Sequence, residues 1–294
     1  MSILDRALQL GQQVLEYPSR RPDGELVETP HPYRRMLPFM MRGRNESVVY
    51  YDDPARAEKL LDFIPRASQA FGFEVDITHC LVAACRKGLW ENPRMNQFIA
   101  GRRLYRRKHN ELTFSMKRKR MDKEAKLSAV KLVVDDRSET FRQLCERINS
   151  HIHVERSGEE TYSDKEVNLL SRIPRPIMDA GISALQWLDY HNLVPGGFIR
   201  NDGFYTSIFI ANLGSLGMHA GYHHLYEYGT CPLFMMVGKL EDRAVVEDGK
   251  IVARKFLPVR WTYDERIDDG LTSKYGMQSV REGLENPDEA FGLL

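Results

Sequence analysis

Three histidines, His219, His223 and His224, fall within six residues beside a glycine-rich turn. Imidazole titrates near neutrality, so the group could supply a general base or metal ligands. No cysteine or carboxylate completes a recognised zinc spacing, and no metal is expected. On a strand, the adjacent His223 and His224 would point to opposite faces, placing one of them toward a site. A second cluster, Asp264-Glu265-Arg266-Ile267-Asp268-Asp269, puts four carboxylates and an arginine just ahead of Gly270. Taken alone it is a charged strand-to-helix turn with Asp269 or a neighbour as N-cap. Between Arg102 and Lys131 there are twelve Lys or Arg residues. Such a run either binds phosphate oxygens, as on a nucleotide-bearing cofactor, or forms a solvated hairpin face. Gly214-Ser215-Leu216-Gly217 is a tight turn after a strand and lacks the third glycine of a dinucleotide fingerprint. Asp164-Lys165 has the dipeptide of a lipoylated lysine. Its flanks read as helical, with Ser163 as N-cap, so no lipoyl group is expected.

The elements that must position these residues alternate along the chain. Residues 1–32 form an arm: Ile3, Leu4, Ala7, Leu8, Val14 and Leu15 suit a short amphipathic helix, which Pro18, Pro22, Gly24 and Pro30 break. Ser47–Tyr51 reads as a strand. Asp53 reads as an N-cap, with Pro54 opening a helix that carries Ala57, Leu60, Leu61 and Ile64. A further helix follows Asp76-Ile77-Thr78 and stops at Asn92-Pro93. Phe98–Lys119 reads as a hairpin turning at Lys108-His109-Asn110, Leu127–Val134 as a strand, and Ser138–Val154 as an amphipathic helix. A helical block spans Ser163–Leu193. Strands are expected at Phe204–Leu213 and Leu233–Leu240, a hairpin through Asp248-Gly249, and a last helix over Leu271–Leu284. Mixed strands and helices predict a two-layer α/β or α+β domain.

The chain has 294 residues, 42% hydrophobic and 10% aromatic, which excludes disorder as its dominant state. With 42 Lys+Arg against 41 Asp+Glu, it has no overall attraction for nucleic acid, and no nucleic-acid partner is expected. No apolar run approaches the roughly 18–20 residues that span a bilayer, so no membrane partner is expected. The N-terminus lacks the pattern of a secretory signal. Cys80, Cys85, Cys145 and Cys231 form no C-x-x-C pair, which points to a reducing, cytoplasmic setting.

Ile210-Ala211-Asn212-Leu213-Gly214 followed by Gly217 resembles the T-I-S-N-L-G-x-x-G segment of the 2-oxoacid dehydrogenase acyltransferases, relatives of chloramphenicol acetyltransferase. Asp264 to Gly270 resembles that family's D-H-R-x-x-D-G, some fifty residues on. Pro232, Gly238 and Asp248-Gly249 fall at intermediate family positions. Upstream, Asn92-Pro93-Arg94-Met95-Asn96 resembles N-P-x-x-N, Asp76-Ile77-Thr78 resembles V-D-I-T, and Arg34-Arg35 to Tyr50 resembles the opening of the catalytic domain. The resemblance covers residues 33–294 as one acyltransferase-like core, with no lipoyl or peripheral-subunit-binding domain.

The resemblance implies the two-layer, chloramphenicol-acetyltransferase-like α/β fold and a homotrimer with sites between subunits. It also implies a channel for coenzyme A or acyl-CoA, a small-molecule thioester. The family's histidine base falls at Glu265 and its Ser/Thr oxyanion donor at Ala211, while Arg266 and Asp269 match, Arg266 as a structural ion-pair residue. Glu265 would act as a base only if burial raised its pKa from about 4.3 toward neutrality. His223, His224 or Ser207 could replace one lost group, and Arg102, Arg103 and Lys117 are candidate ligands of the coenzyme A phosphates. The expected function is a non-catalytic acyl-CoA-binding or scaffold homologue. The alternative is an active acyltransferase with Glu265 as base.

Overall fold

A computed structural model describes residues 20–28, 30–118, 127–157 and 173–293. The elements are β1 (Gly24–Leu26), α1 (Pro32–Met40), β2 (Val48–Asp52), β3 (Ala55–Arg56), α2 (Glu58–Phe71), α3 (Ile77–Glu91), β4 (Gln97–Ala100), β5 (Arg103–Arg107), β6 (Glu111–Lys117) and β7 (Leu127–Val133). They continue with α4 (Phe141–Arg156), α5 (Arg175–Tyr190), α6 (Gly196–Asn201), β8 (Ile208–Asn212), β9 (Leu233–Val237), β10 (Glu241–Glu247), β11 (Lys250–Leu257), β12 (Val259–Asp264), α7 (Gly270–Glu285) and α8 (Pro287–Phe291). The expected helix over residues 3–15 and the Ser163-Asp164-Lys165 segment lie outside the described residues.

A six-stranded sheet, ordered β2-β12-β9-β8-β6-β7, is the frame. β6, β8 and β9 run parallel, and β12, β2 and β7 are antiparallel to their neighbours. The alternation of β8 divides its side chains. Ile208 and Ile210 enter the large core beneath the helices, with Leu60, Leu81, Phe141 and Val280. Phe209 and Ala211 face the other way, into a smaller cluster with Leu225, Phe234 and Met236. Two small sheets, β1-β5-β4 and β10-β11-β3, flank the frame. The architecture is the expected mixed α/β one.

Three local expectations are corrected. Asp53 is not a helix N-cap. It is buried and accepts a hydrogen bond from Arg281 at 3.0 Å, while β3 intervenes and α2 begins at Glu58 after Ala57. The basic hairpin does not turn at Lys108–Asn110. It turns at Gly101–Arg102, both with positive φ, and residues 108–110 pass the chain into the main sheet. The helical block, described from residue 173, ends sooner than expected: α5 stops at Tyr190, and α6 follows beyond the block. Residues 20–28 of the arm are integrated with the core. β1 pairs with β5, and buried Arg21 lies against both rings of the stacked Phe98–Tyr105 pair while bonding Asp23, Asp189 and Asn192.

Candidate functional site

The motif segments converge at one corner of the sheet. Asp268 is buried where β12 gives way to α7, and its Oδ1 takes Arg34 at 2.8 Å and Arg94 at 2.6 Å. Arg34 also reaches Asp269 at 3.2 Å. Thus the opening of the domain, the N-P-R-M-N segment and the D-E-R-I-D-D-G segment are tied by charge-assisted hydrogen bonds, the stronger kind. Asp269 caps α7 by accepting the Thr272 N–H at 2.9 Å, and that bond holds its carboxyl below the usual range. The cap's contribution is therefore present at neutral pH and lost as pH falls through the depressed native value. Asp269→Ala should cost about 1 kcal/mol in urea unfolding at pH 7. The gap to the parent should narrow below about pH 4, where carboxylates protonate.

Glu265 is exposed and opens into a cavity of about 600 Å³ that His31, Tyr33, Arg34, Arg94, Tyr263 and Asp269 also line. Burial, reinforced by the Glu265 and Asp269 carboxylates, raises the Tyr263 phenol above its usual range, so the phenol stays protonated. Arg266 does not neutralise Glu265. It donates from Nε and Nη2 to both oxygens of buried Asp264, at 2.8 and 2.7 Å, and from Nη1 to the Met41 and Arg42 carbonyls. No described residue forms an ion pair with Glu265.

Ala211 stands elsewhere. It pairs with Met236, and Met236 with Arg260, so Ala211 lies level with Arg260 on β12. Glu265 is five residues further along β12's direction, about 16 Å at strand rise. On one chain, Glu265 and Ala211, the two positions singled out by the resemblance, therefore lie toward opposite ends of the sheet. Lys117 belongs to Ala211's end, because Ser115 pairs with Ala211. Arg102 and Arg103 belong to the small sheet, so the three candidate phosphate ligands are not gathered into one patch. The basic run is dispersed further by ion pairs: Arg107 with Asp23 and Glu111, Lys131 with Glu111, and Arg118 with Glu155.

The histidine segment is not a strand. Residues 218–231 cross the sheet face that carries Phe209 and Ala211, held by Lys239 N–H to the Met218 carbonyl and by Thr230 N–H to the Phe204 carbonyl. His223 and His224 do not point to opposite faces. Their rings stack on each other at 4.7 Å, and His223 stacks on Phe234 at 4.2 Å. Each Nδ1 lies against a main-chain carbonyl, which only accepts, so each Nδ1 donates. His219 is 3.7 Å from Glu241. Among the described residues no group of three His, Cys, Asp or Glu is placed to hold a metal, and no helix is long and apolar enough to cross a membrane.

Ser207 cannot stand in for the missing hydroxyl: it is fully buried and its Oγ accepts the Glu111 N–H at 2.9 Å. All four cysteines are buried, and burial raises their thiols, Cys231 to about 11, which removes thiolate chemistry. Sequence reasoning missed His31, Tyr33 and Tyr263. The signal available was the Tyr263 side of β12, which alternation places with Trp261 toward the helices. Nothing local links His31 to residues more than two hundred positions away.

The glycines of the N-L-G-x-x-G segment have a visible purpose. A Cβ on Gly214 would lie 2.4 Å from the Gly238 carbonyl oxygen, and Gly217 has φ of 74°. Asn212 donates to Thr78 Oγ1 at 3.3 Å, joining this segment to the D-I-T motif at the start of α3.

Comparison with known proteins agrees with this assembly of motifs. Residues 201–292 match the model of the 2-oxoacid dehydrogenases acyltransferase (catalytic domain). No curated protein matches the sequence significantly. The fold resembles a probable dihydrolipoamide acetyltransferase from Listeria monocytogenes, with TM-score 0.58, 14% identity, and coverage of 88% of this chain and 94% of that one. It also resembles the cubic core of the pyruvate dehydrogenase multienzyme complex (TM-score 0.57, 18% identity, 90% and 94% covered) and a chloramphenicol acetyltransferase (0.50, 11%, 89% and 99%). The chain thus has the chloramphenicol-acetyltransferase-like acyltransferase fold, and within it residues 201–292 match the catalytic domain of the 2-oxoacid dehydrogenase acyltransferases.

Proposed function

We propose that this protein is a homotrimeric, cytoplasmic acyl-CoA-binding or scaffold member of the acyltransferase fold, with its transfer chemistry silenced. The observation that carries this reading is Ala211, a methyl group packed with Phe209 and Met236 where the resemblance calls for a hydroxyl donor. A tetrahedral oxyanion needs a donor aimed at it, and losing one costs about 10²–10³ in rate. Carboxylate in place of imidazole at Glu265 removes the neutral-pH base as well. The separation of Ala211 and Glu265 on one chain supports assembly, because only different copies could bring the two ends together. The cubic core among the structural relatives supports it too. Calorimetry with coenzyme A and a panel of acyl-CoAs tests the reading. Saturable binding of at least one acyl-CoA without turnover is expected, with affinity unchanged in Glu265→Gln. Turnover of a bound acyl-CoA would overturn it.

One observation favours the second reading, an active transferase with Glu265 as base. Arg266 is committed to Asp264, which leaves Glu265 unpaired in a cavity with His31 and the Tyr263 phenol. On that reading Glu265→Gln abolishes turnover while the trimer persists.

A further inference from the structure

Five arginines are buried among the described residues: Arg21, Arg44, Arg86, Arg107 and Arg266. Four have a carboxylate at hand: Asp23 at 2.9 Å from Arg21 and 3.3 Å from Arg107, Glu139 at 3.1 Å from Arg86, and Asp264 at 2.7 Å from Arg266. Arg44 has no ion-pair partner among the described residues. Its guanidinium donates to the main-chain carbonyls of Tyr226, Glu227 and Ile99 at 3.2, 2.8 and 3.3 Å. Carbonyls take three of the five guanidinium N–H groups and carry no compensating charge, and burying a charge without an ion-pair partner is costly. Burial accordingly depresses the Arg44 pKa, an effect the nearby Asp264 carboxylate only partly offsets.

Arg44 lines a cavity of about 330 Å³ together with Arg42, Arg102 and Arg266. Arg42 and Arg102 also have no ion-pair partner among the described residues. The two carboxylates in the wall are spoken for: Asp189 pairs with Arg21 at 2.9 Å, and Glu227 accepts the Arg44 and Asn45 N–H groups at 3.0 and 2.9 Å. Gly101 holds the Arg102 turn against α5 so closely that a Cβ there would lie 2.2 Å from the Tyr190 carbonyl oxygen. The wall thus presents three guanidinium groups that no carboxylate touches, beside Tyr190, Tyr205 and Tyr228.

We propose that this cavity binds a phosphate or phosphate-bearing small molecule through Arg42, Arg44 and Arg102. A tetrahedral phosphate offers several oxygens to several guanidinium forks at once. The volume admits a phosphate with a compact substituent. The site is separate from the Glu265 cavity, with which it shares no lining residue; Arg102 is also a candidate ligand of coenzyme A, so binding of inorganic phosphate or pyrophosphate is what stands apart from the acyl-CoA reading.

The test is calorimetric titration of the full chain with inorganic phosphate, pyrophosphate and adenosine 3′,5′-bisphosphate, at constant ionic strength set with chloride. At least one should bind saturably, and Arg102→Glu and Arg42→Glu should each weaken it at least about tenfold. Lys250→Glu on the β10–β11 turn should not. Preference for the bisphosphate would identify a nucleotide as the source, and equal affinity for inorganic phosphate a simple phosphate. No binding by any of the three, or binding unaltered in both cavity variants, overturns the proposal. So does a change of oligomeric state in Arg102→Glu with phosphate binding intact, which would mean that a second copy supplies the anion.

Discussion

The double variant Ala211→Ser, Glu265→His should gain CoA-dependent acyl transfer to dihydrolipoamide by about 10²–10³ or more over the natural chain. An oxyanion donor alone is worth about that factor, and a positioned base of neutral pKa contributes about 10²–10⁴. The two groups act on one transition state, so each single variant should gain far less than its share of the pair. Both changes fit. Ala211 would receive one oxygen next to Phe209 and Met236, and Glu265 is already exposed. The two positions lie about 16 Å apart along the strand direction of one chain, so the gain must come from histidine of one copy and serine of another. Activity should therefore fall as the protein is diluted below its assembly range. If the double variant assembles as the parent does and shows no gain, these two replacements are not what separates the chain from an active transferase.

Asp264→Ala should cost about 3–5 kcal/mol, because it strands the buried Arg266 guanidinium without a counter-ion. Asp264 accepts from Arg266 at 2.8 and 2.7 Å, from the Arg266 N–H at 3.1 Å and from Ser47 Oγ at 3.0 Å. Domains are stable by only about 5–15 kcal/mol, so this one change removes a large share. Urea unfolding should show a lower midpoint at unchanged slope. The neighbouring Glu265→Ala should stay within about 0.5 kcal/mol, since its side chain is exposed and unpaired. Asp264→Ala with Arg266→Met should recover much of the loss, because the costly feature is the unpaired charge. A loss below about 1 kcal/mol in Asp264→Ala would show that water reaches Arg266 and that the pair is not a dry clamp.

The contrast between Asp264 and Glu265 shows what could be inferred locally. Asp264 ends β12 and Glu265 opens the turn after it, so one carboxylate goes inward to Arg266 and the next opens to a cavity. The ordered motifs pointed to the family segment and the fold, and the strand expected over Phe204–Leu213 and the Asp-Gly turn at 248–249 correspond to the shorter β8 and to the β10–β11 hairpin. Asp53 misled because Asp-Pro is a good helix start in isolation. Tertiary context buried Asp53 against Arg281 instead and inserted β3 before the helix. The histidine pair misled because alternation was assumed where residues 218–231 run without strand pairing, leaving both rings free to stack.

By itself the sequence determined most of the element types and the acyltransferase likeness. Each of these depends on residue identity and short-range spacing. The tertiary structure decided which charges meet. It tied Arg34 and Arg94 to Asp268, withheld Arg266 from Glu265, scattered the basic run across two sheets, and left the Arg44 guanidinium on main-chain carbonyls. Those pairings join residues far apart in the chain, and the strength of each depends on burial and on which counter-charge arrives. Neither is encoded in local pattern.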